Sequence, residues 1–233
     1  MQKILVFTDG AAKGNPGSGG YGAVILKDGH VTELGAGKAH TTNNEMELKA
    51  VVEALTYLQD VKEKIHLYTD SKYVVEGATK WIFGWQKNGW QTKEKKDVLN
   101  SELWKKLVGL LQHVSVEWHK IPGHSGLIGN ECADVIASDF GAGKKVSLYN
   151  GSKSEYAHDI ENVSYDEAKA EVRSEARLRQ KQSAYSYVSL VDGVVKVHAT
   201  WGECEARVKG KKAKFKKALS RDEEQALKRE WGA

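Results

Sequence analysis

The first 26 residues, MQKILVFTDGAAKGNPGSGGYGAVIL, decide the fold. The apolar run KILVF ends at Thr-Asp9, and a glycine-rich stretch leads into a second apolar run. GSGGYG (17–22) has the glycine spacing of a dinucleotide-binding loop, but such a loop must open a helix whose N–H groups meet the pyrophosphate. The residues that follow, YGAVILKDGHVTELGAGKA, instead place Asp-Gly (28–29) between β-branched runs, which predicts a hairpin. We therefore reject a dinucleotide site and expect the glycines to shape a turn between the first and second strands.

Strands and helices alternate over the next hundred residues. A helix is predicted in 41–60, where Thr42 and Glu45 form a capping box, and others in 100–113 and 130–140. KIHLYTD (64–70) and VSVEWHK (114–120) are predicted strands. The pattern predicts an α/β fold, with one mixed five-stranded sheet carrying helices on both faces and a small C-terminal α+β domain.

The composition changes twice along the chain. We predict a first domain at 1–140, a partly helical linker at 141–184 and a small domain at 185–233, where Asp-Gly (192–193) predicts another hairpin. The last segment holds 11 Lys and Arg against 7 Asp and Glu, a surplus of 4. RVKGKKAKFKK (207–217) has seven basic residues and no acidic one, a distribution suited to a phosphate backbone or to a solvated lysine surface.

The overall composition is that of an ordinary globular protein. It is 40% hydrophobic and 28% charged, with no apolar run long enough for a signal peptide or a membrane span. Cys132 and Cys204 lack the paired spacing of a disulfide framework or a cysteine zinc site. We expect a cytoplasmic protein that is monomeric and has no membrane contact.

Three acidic residues suggest chemistry. Asp9 and Asp70 each follow an apolar strand and a threonine, and Glu47 lies beside an apolar helix stripe. A desolvated carboxylate needs a cation, a donor or solvent, and clustered Asp and Glu without His or Cys favour Mg²⁺. For each acid taken alone, a structural or surface role is the better interpretation, and only the combination of the three favours a functional site. Spacing alone does not choose between Asp134 and Glu131 as a fourth member.

Five segments, taken together, resemble a known family. TDGAAKGNPGSGGYG, TTNNEMELKA, TDSKYV, the tryptophan-rich WIFGWQKNGWQTKEKKDVLNSELW and GHSGLIGNECAD resemble, in order, the signature segments of type 1 ribonuclease H over residues 1 to about 140. The resemblance implies two Mg²⁺ ions, with Mn²⁺ as an alternative, held by Asp9, Glu47, Asp70 and Asp134. It also implies that His124 assists proton transfer or product release.

The same resemblance implies contacts to an RNA–DNA hybrid. Asn15, Asn43 and Asn44 match positions that read 2′-hydroxyls of the RNA strand. Thr42 and Asn100 match a phosphate pocket for the DNA strand, in which His40 stands where many relatives have Arg. Trp85 matches the substrate-binding protrusion, although its spacing also suits a core residue.

The tail resembles the small hybrid-binding domain of eukaryotic type 1 ribonucleases H and viroplasmin-like proteins. The matching positions are Tyr187, Trp201, Phe215, Lys216 and Lys217. The resemblance implies an endonuclease that cuts the RNA strand of hybrids, leaving 5′-phosphate and 3′-hydroxyl ends, with a tail that tethers hybrid or duplex RNA. A non-catalytic nucleic-acid binder and a DNA-cutting nuclease of the same superfold remain alternatives.

Overall fold

A six-stranded mixed sheet forms the centre of the first of two units in the chain. The computed structural model describes residues 3–123, 125–165 and 182–232. The units are Met1–Glu171 and Val172–Ala233. Within the described residues, no helix combines the length and apolarity needed to cross a membrane.

The central sheet has the order β5-β4-β1-β2-β3-β6. β1, β2 and β3 form an antiparallel meander, β4 and β5 run parallel to β1, and β6 is antiparallel to β3. The strands are β1 (Ile4–Gly14), β2 (Gly17–Lys27), β3 (His30–Thr41), β4 (Ile65–Thr69), β5 (Val116–Lys120) and β6 (Asn150–Ser152).

Helices cover both faces of this sheet, as the sequence predicts. The helices are α1 (Asn43–Tyr57), α2 (Lys72–Glu76), a π-helical turn (Gly77–Trp81), α3 (Ile82–Lys87), α4 (Ser101–Leu110), α5 (Ile128–Gly141) and a 3₁₀ turn (Lys153–Glu155). Leu55 of α1 and Trp104 of α4 belong to the core on one face, and Ile136 of α5 belongs to the core on the other. Thr42 is the N-cap of α1, because its Oγ1 accepts a hydrogen bond from the Glu45 amide at 3.2 Å, whereas the Glu45 carboxylate accepts from Lys38 and Thr41.

The sixth strand comes from the segment predicted as a linker. Tyr149 and Tyr156 both donate to the Glu33 carboxylate, at 2.8 Å from the amide and 2.6 Å from the hydroxyl, and Ile160 is fully buried against the α5 face. The sheet therefore has one strand more than the five predicted, and the first part of the segment predicted as a linker at 141–184 packs on the first unit. Its apolar residues follow neither helical nor strand periodicity, so their burial left no pattern to read. The helical part predicted further along falls on residues 166–181, outside those described.

The second unit is a three-stranded sheet with a helix on each face. β7 (Ser186–Val191) lies between β8 (Val194–His198) and β9 (Ala213–Ala218), and the helices are α6 (Trp201–Val208) and α7 (Arg221–Glu230). The predicted hairpin turn is present, with positive φ at Asp192 and Gly193. Cys204 of α6 packs with Val191, and Leu227 of α7 packs with Val188 on the other face.

Two glycines allow helices to approach the central sheet closely. A Cβ on Gly10 would lie 2.1 Å from the Glu47 nitrogen of α1, and one on Gly22 would lie 2.2 Å from the Ala133 oxygen of α5. Gly22 is also the register partner of Asp9. Gly10 thus lets α1 pack against the strand that carries Asp9, and Gly22 lets α5 pack against the neighbouring strand beside Asp9.

The close approach of α5 makes a testable prediction. Gly22→Ala forces a methyl group against backbone that cannot move aside, so we expect a loss of at least about 1–3 kcal/mol of unfolding free energy. Gly109→Ala in α4 is the control, because the added carbon meets nothing within 4 Å, and it should leave stability equal or up to about 1 kcal/mol higher. Equal urea midpoints for the two variants would contradict this account.

Candidate active site

Asp9 lies within β1 and is the most deeply buried of the predicted acids. Its side chain accepts a hydrogen bond from the Gly10 amide at 2.7 Å. Burial raises the pKa of Asp9 well above its ordinary value of 3.8, and the neighbouring charges of Asp70, Asp134 and Glu47 raise it further. Three other acids from distant parts of the sequence thus lie within electrostatic reach of one buried carboxylate.

Glu47 reaches the site from the second turn of α1. Its Oε1 accepts a hydrogen bond from Asn43 Nδ2 at 2.7 Å, and its Oε2 accepts one from Ser71 Oγ. Burial raises the pKa of Glu47, and the charge of Asp70 adds to the effect, although the two hydrogen bonds favour the ionised form. The carboxylate is therefore held in one orientation from both sides.

Asp70 follows the last residue of β4. Because β4 runs parallel to β1 as its neighbour, the chain leaves the strand on the side toward which Asp9 lies. The loop after β5 also reaches this edge, since a Cβ on Gly123 would lie 3.1 Å from Asp70 Oδ2. His124, the predicted mobile histidine, is outside the described residues.

Asp134 faces the site from α5. The charge of Asp134 raises the pKa of Asp9. The charge of Glu131, the alternative that spacing could not exclude, instead raises the pKa of Cys132. Ser138 Oγ donates to Asp134 Oδ1 at 3.3 Å. The tertiary structure therefore distinguishes between two acids on the same helix.

The donor set fits a hard divalent cation. All four acids offer oxygen ligands, and Asp9 carries a carboxylate whose ionised form is strongly disfavoured without a compensating positive charge. Mg²⁺ and Mn²⁺ take such oxygen ligands together with water and phosphate oxygens. Asp9, Glu47, Asp70 and Asp134 are the residues that would hold the ions.

The predicted RNA-strand residues lie beside Glu47. Asn43 donates its amide to Glu47, and Asn15 Oδ1 accepts from the Asn43 backbone nitrogen at 3.4 Å, which joins the β1–β2 turn to the start of α1. Asn44 and His40 are exposed, on α1 and on β3. Asn43 therefore contacts Glu47 directly, and Asn15 reaches it through Asn43.

The predicted DNA-strand residues have structural partners. The Thr42 hydroxyl caps α1, and Asn100, the N-cap of α4 with φ +58°, donates its amide to the Tyr73 hydroxyl at 3.1 Å. Trp85 packs against the core, with its ring centroid 5.4 Å from that of Trp104. Thr42, Asn100 and Trp85 therefore stabilise the fold through caps and packing, whether or not they also contact a substrate.

The aromatic residues predicted in the tail form one cluster. The ring centroids of Tyr187 and Trp201 are 5.6 Å apart, and those of Trp201 and Phe215 are 5.3 Å apart, although Trp201 and Phe215 are 40% and 52% exposed. Lys217 pairs with Tyr187 in register and donates to the Gln182 carbonyl at 2.8 Å. Lys216 alternates onto the opposite sheet face, so the structure does not group it with the aromatic rings.

Ser71 and Gly10 were not predicted as site residues. Ser71 bonds Glu47 while also capping α2 through the Val74 amide at 3.2 Å. In the sequence, Ser71 has only the features of an ordinary helix N-cap after Asp70. Nothing in the sequence around Gly10 indicates a role in the site. Both act through tertiary contacts that sequence spacing does not report.

Comparisons with known proteins agree over the first unit. The family model RNase H matches residues 1–141. Ribonuclease H of Pseudoalteromonas atlantica is 49% identical over 146 residues, 63% of this chain and 95% of that relative, and ribonuclease H of Zymomonas mobilis is 50% identical over 136 residues, 58% and 86%. The crystal structure of LC9-RNase H1, a type 1 RNase H with the type 2 active-site motif, superposes with a TM-score of 0.58 at 27% identity, covering 73% of this chain and 86% of that one.

The raised pKa of Asp9 makes a prediction for the metal-free protein. The folded state keeps the Asp9 proton at pH values where the unfolded chain releases it, so stability falls as pH rises from about 4 through the folded-state pKa. Asp9→Asn removes this charge, and we expect it to unfold at higher temperature in EDTA near pH 7, by about 2–4 °C per kcal/mol relieved. Asp60→Asn, at an exposed turn, is the control, and an Asp9→Asn variant that melts no higher than the parent would contradict the assignment.

Proposed function

This chain belongs to the ribonuclease H family, and from that premise we propose that it hydrolyses the RNA strand of RNA–DNA hybrids, leaving 5′-phosphate and 3′-hydroxyl ends. The proposed site is the acidic cluster of Asp9, Glu47, Asp70 and Asp134. The observation that carries the proposal is the burial of the Asp9 carboxylate within reach of three like charges. Burial and nearby like charges disfavour the ionised form of Asp9. A bound cation would offset this cost, whereas a protein that binds no cation would have the cost without a benefit.

The chain's own residues orient the reacting groups. Ser71 and Asn43 hold both oxygens of Glu47, and the Gly10 amide holds Asp9. Two bound divalent ions would activate the attacking water and stabilise the leaving oxygen. Because the four acids come from β1, α1, α5 and the end of β4, rigid elements keep them in place. His124 is proposed to transfer a proton or assist release of the product.

The asparagines beside Glu47 are proposed to read the RNA strand. Amide groups both donate and accept, so Asn15, Asn43 and Asn44 suit a 2′-hydroxyl, which does the same. The contacts between Asn15, Asn43 and Glu47 support this, because Asn43 bonds directly to a proposed metal ligand and Asn15 bonds to Asn43. On the DNA strand, we propose phosphate contacts from Thr42, Asn100 and His40, with Trp85 at the edge.

We further propose that the second unit tethers the substrate. Trp201 and Phe215 are exposed rings in mutual contact, and such rings stack on nucleic acid bases or sugars at about 1–3 kcal/mol each. Basic residues dominate the segment around Phe215. A linked second contact raises the local concentration of substrate at the acidic cluster. Duplex RNA is an alternative ligand for this unit.

Cleavage should depend on Asp70. Asp70→Asn removes a charge from the proposed metal site, and because even the outer partners of metal ligands are worth about 10–100-fold, we expect more than about a 100-fold loss of kcat. The assay uses labelled hybrid, duplex RNA and duplex DNA with Mg²⁺, Mn²⁺ or EDTA, and Asp60→Asn is the control. Cleavage of duplex DNA would identify a DNA nuclease, and binding of hybrid without metal-dependent cleavage would identify a non-catalytic binder.

Loss of the exposed rings should act on substrate affinity. In the full chain, Trp201→Ala combined with Phe215→Ala should raise KM on long hybrids much more than it lowers kcat, because the tether contributes only to binding. Val194→Ala, an exposed apolar residue of the same unit, is the matched control. Unchanged KM in the double variant would exclude a tether through these rings.

A further inference from the structure

A second group of metal-ligating side chains lies on the central sheet, away from the acidic cluster. Within the described residues, His66, Glu117 and His119 present ligand atoms that all lie within 4.8 Å of one another. His66 is the register partner of Glu117, and His119 is two residues further along β5. Because side chains two apart on a strand share a face, the backbone brings all three together. His66 lies four residues before Asp70 on β4, about 13 Å along an extended chain.

The three ligand atoms form a triangle of the size that zinc requires. His66 Nδ1 lies 3.1 Å from His119 Nε2, and Glu117 Oε1 lies 3.7 Å from the first and 3.3 Å from the second. A tetrahedral zinc with bonds of about 2.0–2.1 Å separates its ligands by about 3.3–3.4 Å. We propose that His66, Glu117 and His119 form a transition-metal site that takes a zinc ion, with water in the fourth position.

The surroundings hold these ligands in place. The His119 ring stacks on Tyr68 with centroids 4.4 Å apart and planes 10° from parallel, and Tyr68 stacks in turn on Phe7. His66 stacks on His119 at 5.4 Å. The ligands thus sit on two paired strands and against fixed aromatic rings, which lowers the entropy lost when a metal binds.

The two oxygens of Glu117 face different partners, a lysine on one side and the two histidines on the other. Lys64 Nζ lies 3.5 Å from Glu117 Oε2, whereas Oε1 of the same carboxylate faces the histidines. Burial lowers the pKa of His119, an effect that Glu117 opposes and that His66 and Lys3 reinforce. Neutral imidazole is the form that binds metal. Lys3 and Lys64 are the competing cations that a bound zinc must outweigh.

The ligand set distinguishes this site from the acidic cluster. Two imidazoles and one carboxylate suit zinc, cobalt or nickel, whereas Mg²⁺ prefers oxygen ligands and several waters. Glu117 is 44% exposed at its side chain, His119 29% and His66 15%, so solvent reaches the fourth position. A metal here would join β5, the edge strand, to β4, and would stabilise the fold through linkage.

The experiment uses the full chain, washed with chelator and titrated with Co²⁺ and Zn²⁺. We expect one tight equivalent with the visible absorption of tetrahedral cobalt, displaced by zinc, and a rise in melting temperature that adds to whatever rise saturating Mg²⁺ gives at the acidic cluster. His119→Gln and Glu117→Gln should each weaken this binding more than about tenfold. His113→Gln, an exposed histidine elsewhere, and Asp70→Asn should bind the equivalent as the parent does.

The outcomes separate the sites. Loss of the tight equivalent in Asp70→Asn, with its retention in His119→Gln, would assign the metal to the acidic cluster and overturn the proposal. Absence of any cobalt spectrum at about a tenfold excess would also overturn it. Because Glu117 is more exposed than the histidines, Glu117→Gln serves as the decisive variant if His119→Gln melts much earlier than the parent in EDTA.

Discussion

The buried charge of Asp9 is the constraint on which the rest of the active-site architecture depends. A carboxylate in the middle of a central strand, with three like charges in reach, destabilises the folded chain unless a cation compensates. The surrounding core must therefore be stable enough to carry this cost in the metal-free state. Two large apolar clusters, one on each face of the sheet, supply that stability.

Close contact between the helices and the sheet backbone positions the acidic side chains. Gly10 and Gly22 have no side chain, so α1 and α5 press against the two strands and present Glu47 and Asp134 to Asp9 from opposite faces of the sheet. Any larger residue at these glycines would move a helix and the carboxylate on it. Packing and electrostatics are thus coupled, because the contacts that exclude solvent also bring the like charges together.

The chain also extends this fold beyond residues 1–141, which the family model matches. Tyr149, Tyr156 and Ile160 cover the α5 face and add a short strand at one sheet edge, while the histidine cluster occupies the opposite edge at β5. The second unit has its own core and exposes aromatic rings that a core of its size would ordinarily cover. Neither the proposed metal site at β5 nor the proposed tether uses a residue of the acidic cluster.

Local patterns in the sequence determined much of this protein. The hairpins at Asp28 and Asp192, the Thr42 cap and the alternation of strands and helices follow from turn chemistry and periodicity, which act between near neighbours. The resemblance carried by five motifs implies the four acids, whereas spacing alone left Asp134 and Glu131 open, and the structure places Asp134 within electrostatic reach of Asp9. Only the tertiary structure decided the packing of Tyr149, Tyr156 and Ile160 on the first unit, the side of the sheet on which Lys216 lies, and the meeting of His66 with His119. Each of these depends on which distant residues share a face or an edge, and non-local contacts of that kind leave no periodic trace in the chain.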